Sequence, residues 1–166
     1  MVKVADKCIL IFKHFYLQVN LHLVTDMRIN EVEEFLGKRE HVKVAYLFGS
    51  YAQGREGPLS DVDIAVLLDE SLSESERIDL RLRLIAEISA ILGIMEADKL
   101  DVIVMNDAPI NLNYEIIKNG RTLLVKDLEH KIKTESKILS KYLDRRYYER
   151  RGLNEFLEKI LKREEL

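Results

Sequence analysis

The chain has 166 residues, of which 47% are apolar and 33% charged, and its net charge is −3. This is the make-up of a globular domain with a core of its own and excludes a disordered chain. The small net charge excludes bulk, sequence-independent nucleic-acid binding by the whole surface, and a single cysteine, Cys8, excludes an internal disulfide framework or a multi-cysteine zinc site and fits a reducing, cytoplasmic setting.

Residues 1–26 read as an N-terminal extension of the domain. Cys8 to Val24 is largely apolar, but Lys13, His14, Gln18, Asn20 and His22 interrupt it. A membrane span needs about 20 mostly apolar residues and a signal peptide an unbroken apolar centre, so neither is expected. Ile29, Val32, Phe35 and Leu36 recur at helical spacing, and Gly37 is a stop. Val42–Phe48, β-branched and aromatic, predicts a strand. Gly49, Gly54, Gly57 and Pro58 fall close together and predict a loop, after which Asp61–Leu68 reads as a second strand. Ser73 with Glu76 three residues on has capping-box spacing. It opens a predicted helix to Leu92, with Ile78, Leu82, Ile85, Ile88 and Leu92 as the buried stripe and Gly93 as its end.

Leu100–Met105 is a third predicted strand, apolar except for Asp101. A helix over Ala108–Lys118 closing at Gly120 and a short strand over Thr122–Val125 follow. From Leu128 the pattern is helical to the C-terminus, with a break expected near Gly152. The pattern predicts one α+β domain: the extension (1–26), a core over 27–127, and C-terminal helices over 128–166 packed on the core or on a partner.

The chemistry concentrates between Phe48 and Leu68. Gly49-Ser50 is followed, after ten residues, by Asp61-Val62-Asp63. Carboxylates at i and i+2 of a strand share one face and repel unless a cation lies between them. A hard divalent ion with oxygen ligands, Mg²⁺ above all, fills that role. The Gly-Ser turn offers backbone N–H groups and a hydroxyl, which suit phosphate. Asp101 is a third carboxylate inside an apolar strand, costly unless paired or coordinated. Taken singly, Asp61 or Asp101 reads equally well as a residue that starts a strand after a turn. Asp63 does not, because it lies inside its strand. Three acids suit a magnesium site handling a nucleoside triphosphate. Arg55 in the loop, and less directly Lys43, are candidates to neutralise phosphate, with a solvated loop arginine as the plain alternative for Arg55. No Ser-His or Cys-His nucleophile pair accompanies the motif, so direct in-line attack by an acceptor hydroxyl is the simpler mechanism.

The G-S, ten residues, D-x-D pattern with a later strand acid resembles the nucleotidyltransferase superfamily related to DNA polymerase β. The small size most resembles its minimal branch, the MntA-like antitoxins paired with HEPN-domain toxins. The resemblance covers roughly Met27 to Arg151. It implies a mixed sheet flanked by helices with a helical C-terminus, ATP and Mg²⁺ as co-substrate and cofactor, and transfer of AMP to a tyrosine hydroxyl of a separate toxin protein in a hetero-oligomer. It further implies that Gly49 and Ser50 hold the triphosphate, that Asp61 and Asp63 bind metal, and that Asp101 completes the metal site and serves the acceptor's proton. No membrane association and no direct sequence-specific nucleic-acid binding are expected. A small-molecule nucleotidyltransferase of the aminoglycoside-modifying kind and a non-catalytic toxin-binding module are the rival readings. Between Lys131 and Arg163 there are eleven Lys or Arg against five Asp or Glu. Lys137, Lys141 and Arg145 share one helix face, which reads as a solvated face or as a surface for an acidic partner.

Overall fold

The structure, a computed structural model, describes residues 28–54, 60–96 and 99–164. The expected N-terminal extension and Arg55 lie outside the described residues. The elements are helix α1 (28–37), β1 (Val42–Phe48), α2 (Gly49–Ala52), β2 (Val62–Leu68), α3 (Glu74–Leu92), β3 (Leu100–Val104), α4 (Ile110–Asn119), β4 (Arg121–Val125) and α5 (Leu128–Glu164). The four strands form one mixed sheet in the order β3-β2-β1-β4, with β1 antiparallel to both neighbours and β2 parallel to β3.

Strand alternation decides what each face of the sheet buries. Val62, Ile64, Val66 and Leu68 of β2, with Leu100, Val102 and Val104 of β3, pack against Ile29, Val32 and Leu36 of α1 and against Leu84, Ile88 and Leu92 of α3. The other face carries Ala65 and Leu67 of β2 and Val44 and Tyr46 of β1, which pack with Met105, Ile116 of α4 and Ile138 of α5. Val42 and Val44 would share a face in a regular strand, yet they enter opposite clusters. The pairing register with β2 shifts between them, a bulge at Lys43 that reverses the phase of β1.

Helix α3 begins as expected: Ser73 Oγ accepts from the Glu76 N–H, Glu76 reaches back to the Ser73 N–H, and Gly93 ends the helix in the left-handed conformation at φ 67°. Its buried face differs from the expected one. Ile78 and Leu82 are 52% and 59% exposed, while Leu84 is fully buried. The helix holds two apolar rows that share Ile88 and Leu92, and the sheet takes the row containing Leu84. The glycine-rich segment after β1 also differs, because Gly49–Ala52 forms a helical turn rather than an open loop. The expected break at Gly152 is absent, and α5 is continuous over 37 residues. An exposed helical glycine costs only about 1 kcal/mol relative to alanine, too little to break a helix with good formers on both sides. No helix among the described residues is long and apolar enough to cross a membrane.

Candidate active site

Asp63 and Asp101 meet because of register. Within β2 the residues on either side of Asp63 enter the α1/α3 core, so Asp63 points to the opposite face; within β3 the same holds for Asp101. In the parallel β2–β3 pair Asp63 lies directly opposite Asp101, on strands about 4.8 Å apart. On its other side Asp63 pairs with Phe48, the last residue of β1, so the Gly49-Ser50 turn starts beside it. Asp61 stands one residue before β2 and is exposed.

Gly49 is required here on two counts. Its φ is +70°, and a Cβ would lie 2.0 Å from Asp63 Oδ2. The backbone of the first turn of α2 therefore comes directly against the carboxylate, and any side chain here would force Asp63 to turn away. Ser50 follows in the same turn, half-exposed.

The three acids differ in how their charge is met. Asp61 accepts from Lys99 Nζ at 3.1 Å. Asp101 accepts from Arg81 at 3.3 Å, and the same guanidinium donates through Nε to the Val102 carbonyl at 2.6 Å. Burial pushes the Asp63 carboxyl above its ordinary range, and the charges of Asp101 and then Asp61 push it further in the same direction. Among the described residues no group of three or more acidic, His or Cys side chains is drawn close enough to hold a metal. The outer two carboxylates are instead turned to their own cations. The donor set nevertheless fits a hard divalent cation: three carboxylates at one sheet end, the middle one raised by its like-charged neighbours, and basic side chains already drawn to the outer two.

The structure thus brings together Gly49, Ser50, Asp61, Asp63 and Asp101, all named from sequence. It moves Lys43 away from any phosphate role: Lys43 is at the far end of β1 and pairs with Asp69 at 2.8 Å. Lys99 and Arg81 went unrecognised in the sequence. Lys99 is two residues before Asp101 and had a local signal in that position; Arg81 arrives from α3, and only tertiary packing places it.

Residues 30–129 match the family described as polymerase beta, nucleotidyltransferase. That match spans more than half of the chain, and the chain belongs to this family; it is a nucleotidyltransferase. Among solved structures it is similar to a chain in a crystal structure of a toxin–antitoxin with AMP-PNP, at 22% identity and a TM-score of 0.60, covering 77% of this chain and 98% of that one. It is similar also to a chain in the tri-AMPylated Shewanella oneidensis HEPN toxin in complex with MNT antitoxin, at 19% identity and a TM-score of 0.58, covering 80% and 98%. A third, from the MntA–HepT toxin–antitoxin, gives 19% identity and a TM-score of 0.57, again over 80% and 98%. At these identities the likeness is one of fold. No curated protein matches the chain by sequence.

Proposed function

We propose that the protein is the antitoxin of a toxin–antitoxin pair and silences its partner, a HEPN-type toxin, by transferring AMP from ATP to a tyrosine hydroxyl. The observation that carries the reading is the pairing of Asp63 with Asp101 across β2 and β3, with Gly49 pressed against Asp63. The family supplies the reaction class, and the toxin–antitoxin structures of the same fold supply the kind of partner.

In this reading Asp61 and Asp63 would hold Mg²⁺, and Asp101 would complete its ligand set. The bound ion would neutralise the triphosphate and the charge that grows on the leaving pyrophosphate. Gly49 and Ser50 offer a backbone N–H and a hydroxyl to the phosphates at the start of α2. Asp101, also half-exposed, accepts the proton of the acceptor hydroxyl as that oxygen attacks the α-phosphate in line. The α-phosphorus gains a bond to the acceptor oxygen and loses its bond to pyrophosphate, so AMP is transferred whole. Without the ion, Arg81 meets the Asp101 charge; with it bound, that contact would give way to the metal. Arg55 remains a candidate phosphate ligand on sequence grounds alone.

The test is to incubate the protein with ATP, Mg²⁺ and a HEPN-domain protein encoded beside it, and to weigh that protein. The expected result is a gain of one or more AMP units, abolished by chelating the metal. Asp63→Ala should lower the rate by about 10³-fold, the loss of about 4 kcal/mol of transition-state stabilisation. No mass gain on a partner that is otherwise toxic would overturn the proposal. Protection that survives in an Asp61→Ala, Asp63→Ala double variant would establish neutralisation by contact alone.

A further inference from the structure

A second concave site lies on the same face of the sheet, at the other end. Leu67 of β2 is four residues beyond Asp63 on the same face, about 13 Å along the strand. It lines a cavity of about 460 Å³ together with Met105 and residues of α4 and α5. That volume is within the range of small-molecule sites.

Two buried polar atoms in the wall lack partners. Asn113 of α4 is only 6% exposed. Its Nδ2 donates to the Met105 carbonyl at 2.9 Å and to the Ala108 carbonyl at 3.3 Å. Those two acceptors determine which way the amide faces, and they leave Oδ1 as a buried acceptor with no donor. His130 near the start of α5 likewise has a buried Nε2 without a partner. A buried polar atom left unsatisfied costs about 1–3 kcal/mol, and both atoms are closed off from the open cavity, so an occupant reaches them only when Asn113 or His130 turns.

The charge of the cavity names the class of molecule. Lys133, Lys137 and Lys141 stand at i, i+4 and i+8 on α5 and line the opening. None has a carboxylate partner among the described residues. Glu70 is the acidic side chain in the wall. Arg77, also in the wall, is already committed: it holds Asp107 through two bonds at 2.8 and 2.6 Å and the Leu72 carbonyl at 2.7 Å. Helix α4 starts at this cavity behind Pro109 with no side-chain cap, so its free N–H groups add to the positive field.

We propose that this cavity binds a small phosphorylated metabolite of nucleotide size, with its phosphate on the lysine row and its body against Asn113 and His130. A bare inorganic anion would satisfy the lysines but would leave most of the volume unused. The site shares no residue with the three acids, and it stands or falls apart from the antitoxin reading.

The experiment uses the full chain with its three carboxylates intact and without metal, so that the acids repel a phosphate at their own end. AMP, ribose 5-phosphate and inorganic phosphate are titrated separately while amide and imidazole NMR signals are followed. Saturable shifts at Asn113, His130 and Lys137 with AMP or ribose 5-phosphate are expected, with inorganic phosphate at least about tenfold weaker. Which of the two organic phosphates binds tighter separates a nucleotide from a sugar phosphate. A Lys133→Ala, Lys137→Ala variant, altered only at exposed positions, should weaken binding by about tenfold or more, the loss of charge-assisted bonds worth about 1.4 kcal/mol or more. No saturable shift with either organic phosphate overturns the proposal, as does binding that the lysine variant leaves unchanged or that inorganic phosphate reproduces in full.

Discussion

The two ends of one sheet face carry opposite charge, and they are built in different ways. At the amino ends of β2 and β3, Asp63 and Asp101 are placed by strand alternation and by a backbone register that sets one directly opposite the other. At the carboxyl ends of the same strands, the cavity takes its polar groups from α4 and α5, and its lysines align through helical spacing. Backbone hydrogen bonds hold the first arrangement rigid to within the pleat. The second depends on how α4 and α5 are seated. Side chains must compensate the acid end, as Lys99 and Arg81 do, whereas the basic end lacks its counter-charge. Like charges are thus gathered at both ends, and protein cations meet them at the acid end, at Asp61 and Asp101.

The largest effect on stability should come from Gly49→Ala. The new Cβ meets Asp63 Oδ2 at 2.0 Å, and the residue is held at φ +70°. A cost of about 2 kcal/mol is expected from clash and strain together, read as a lowered urea midpoint. Gly54→Ala is the control, since Gly54 also has positive φ, +61°, but open space around it; strain alone should cost about 1 kcal/mol. If the two variants lose equal stability, the close approach of α2 to Asp63 is not what demands glycine. In an Asp63→Ala background the excess cost of Gly49→Ala should vanish, because the coupled atoms are gone.

Much of the acid end was legible in the sequence, and the reason is local. An aspartate flanked by Val62 and Ile64, or by Leu100 and Val102, stands out against an apolar strand without knowledge of anything distant. Which strand lies beside which was not legible: the Asp63–Asp101 pairing needs the order β3-β2, and sequence pattern alone is silent on order. The buried face of α3 was misread because Ile78-Leu82-Ile85 and Leu80-Leu84-Ile88 are equally periodic, and only the sheet chooses between them. The bulge at Lys43 was hidden for the same reason, since its effect is on phase and not on composition. Asn113 reads as an ordinary polar position of a helix; that it is buried over Met105 depends on the packing of α4, which no neighbour in sequence reports.

The seating of α5 gives a smaller effect and tests the second end of the comparison. Tyr46 of β1 donates its hydroxyl to Glu135 Oε1 at 2.8 Å, and Lys131 Nζ donates to the same oxygen at 2.8 Å. Burial, and next the bond to Glu135, push the Tyr46 hydroxyl far above its ordinary range, so it stays a donor. Tyr46→Phe removes one of the two donors to Glu135 and should cost about 1 kcal/mol in urea unfolding. Because α5 carries His130 and the lysine row, the same variant should shift amide signals around the cavity while leaving those of Asp63 and Asp101 in place. Equal perturbation at both ends would show that the two are not independently built.

The smallest effect depends on pH. Asp63 titrates above its ordinary value of 3.8 in the folded protein, through burial first and then through Asp101 and Asp61. Between the ordinary and the raised value the folded chain binds more protons than the unfolded chain, so stability falls as pH rises through that window. Below the window the carboxyl is protonated in both states and the penalty is absent; above the window it is present in full. Asp63→Asn should therefore melt above the parent near neutral pH in the absence of divalent ions, with the gap closing as the solution is acidified toward the ordinary carboxylate range. Adding Mg²⁺ should then raise the melting temperature of the parent more than that of the variant, because only a ligand that binds the folded state stabilises it. Melting curves of both proteins across pH, with and without the metal, measure all three quantities. A gap that ignores pH would assign the difference to packing around Gly49 rather than to crowded charge, and the acid end would lose its claim to be waiting for a cation.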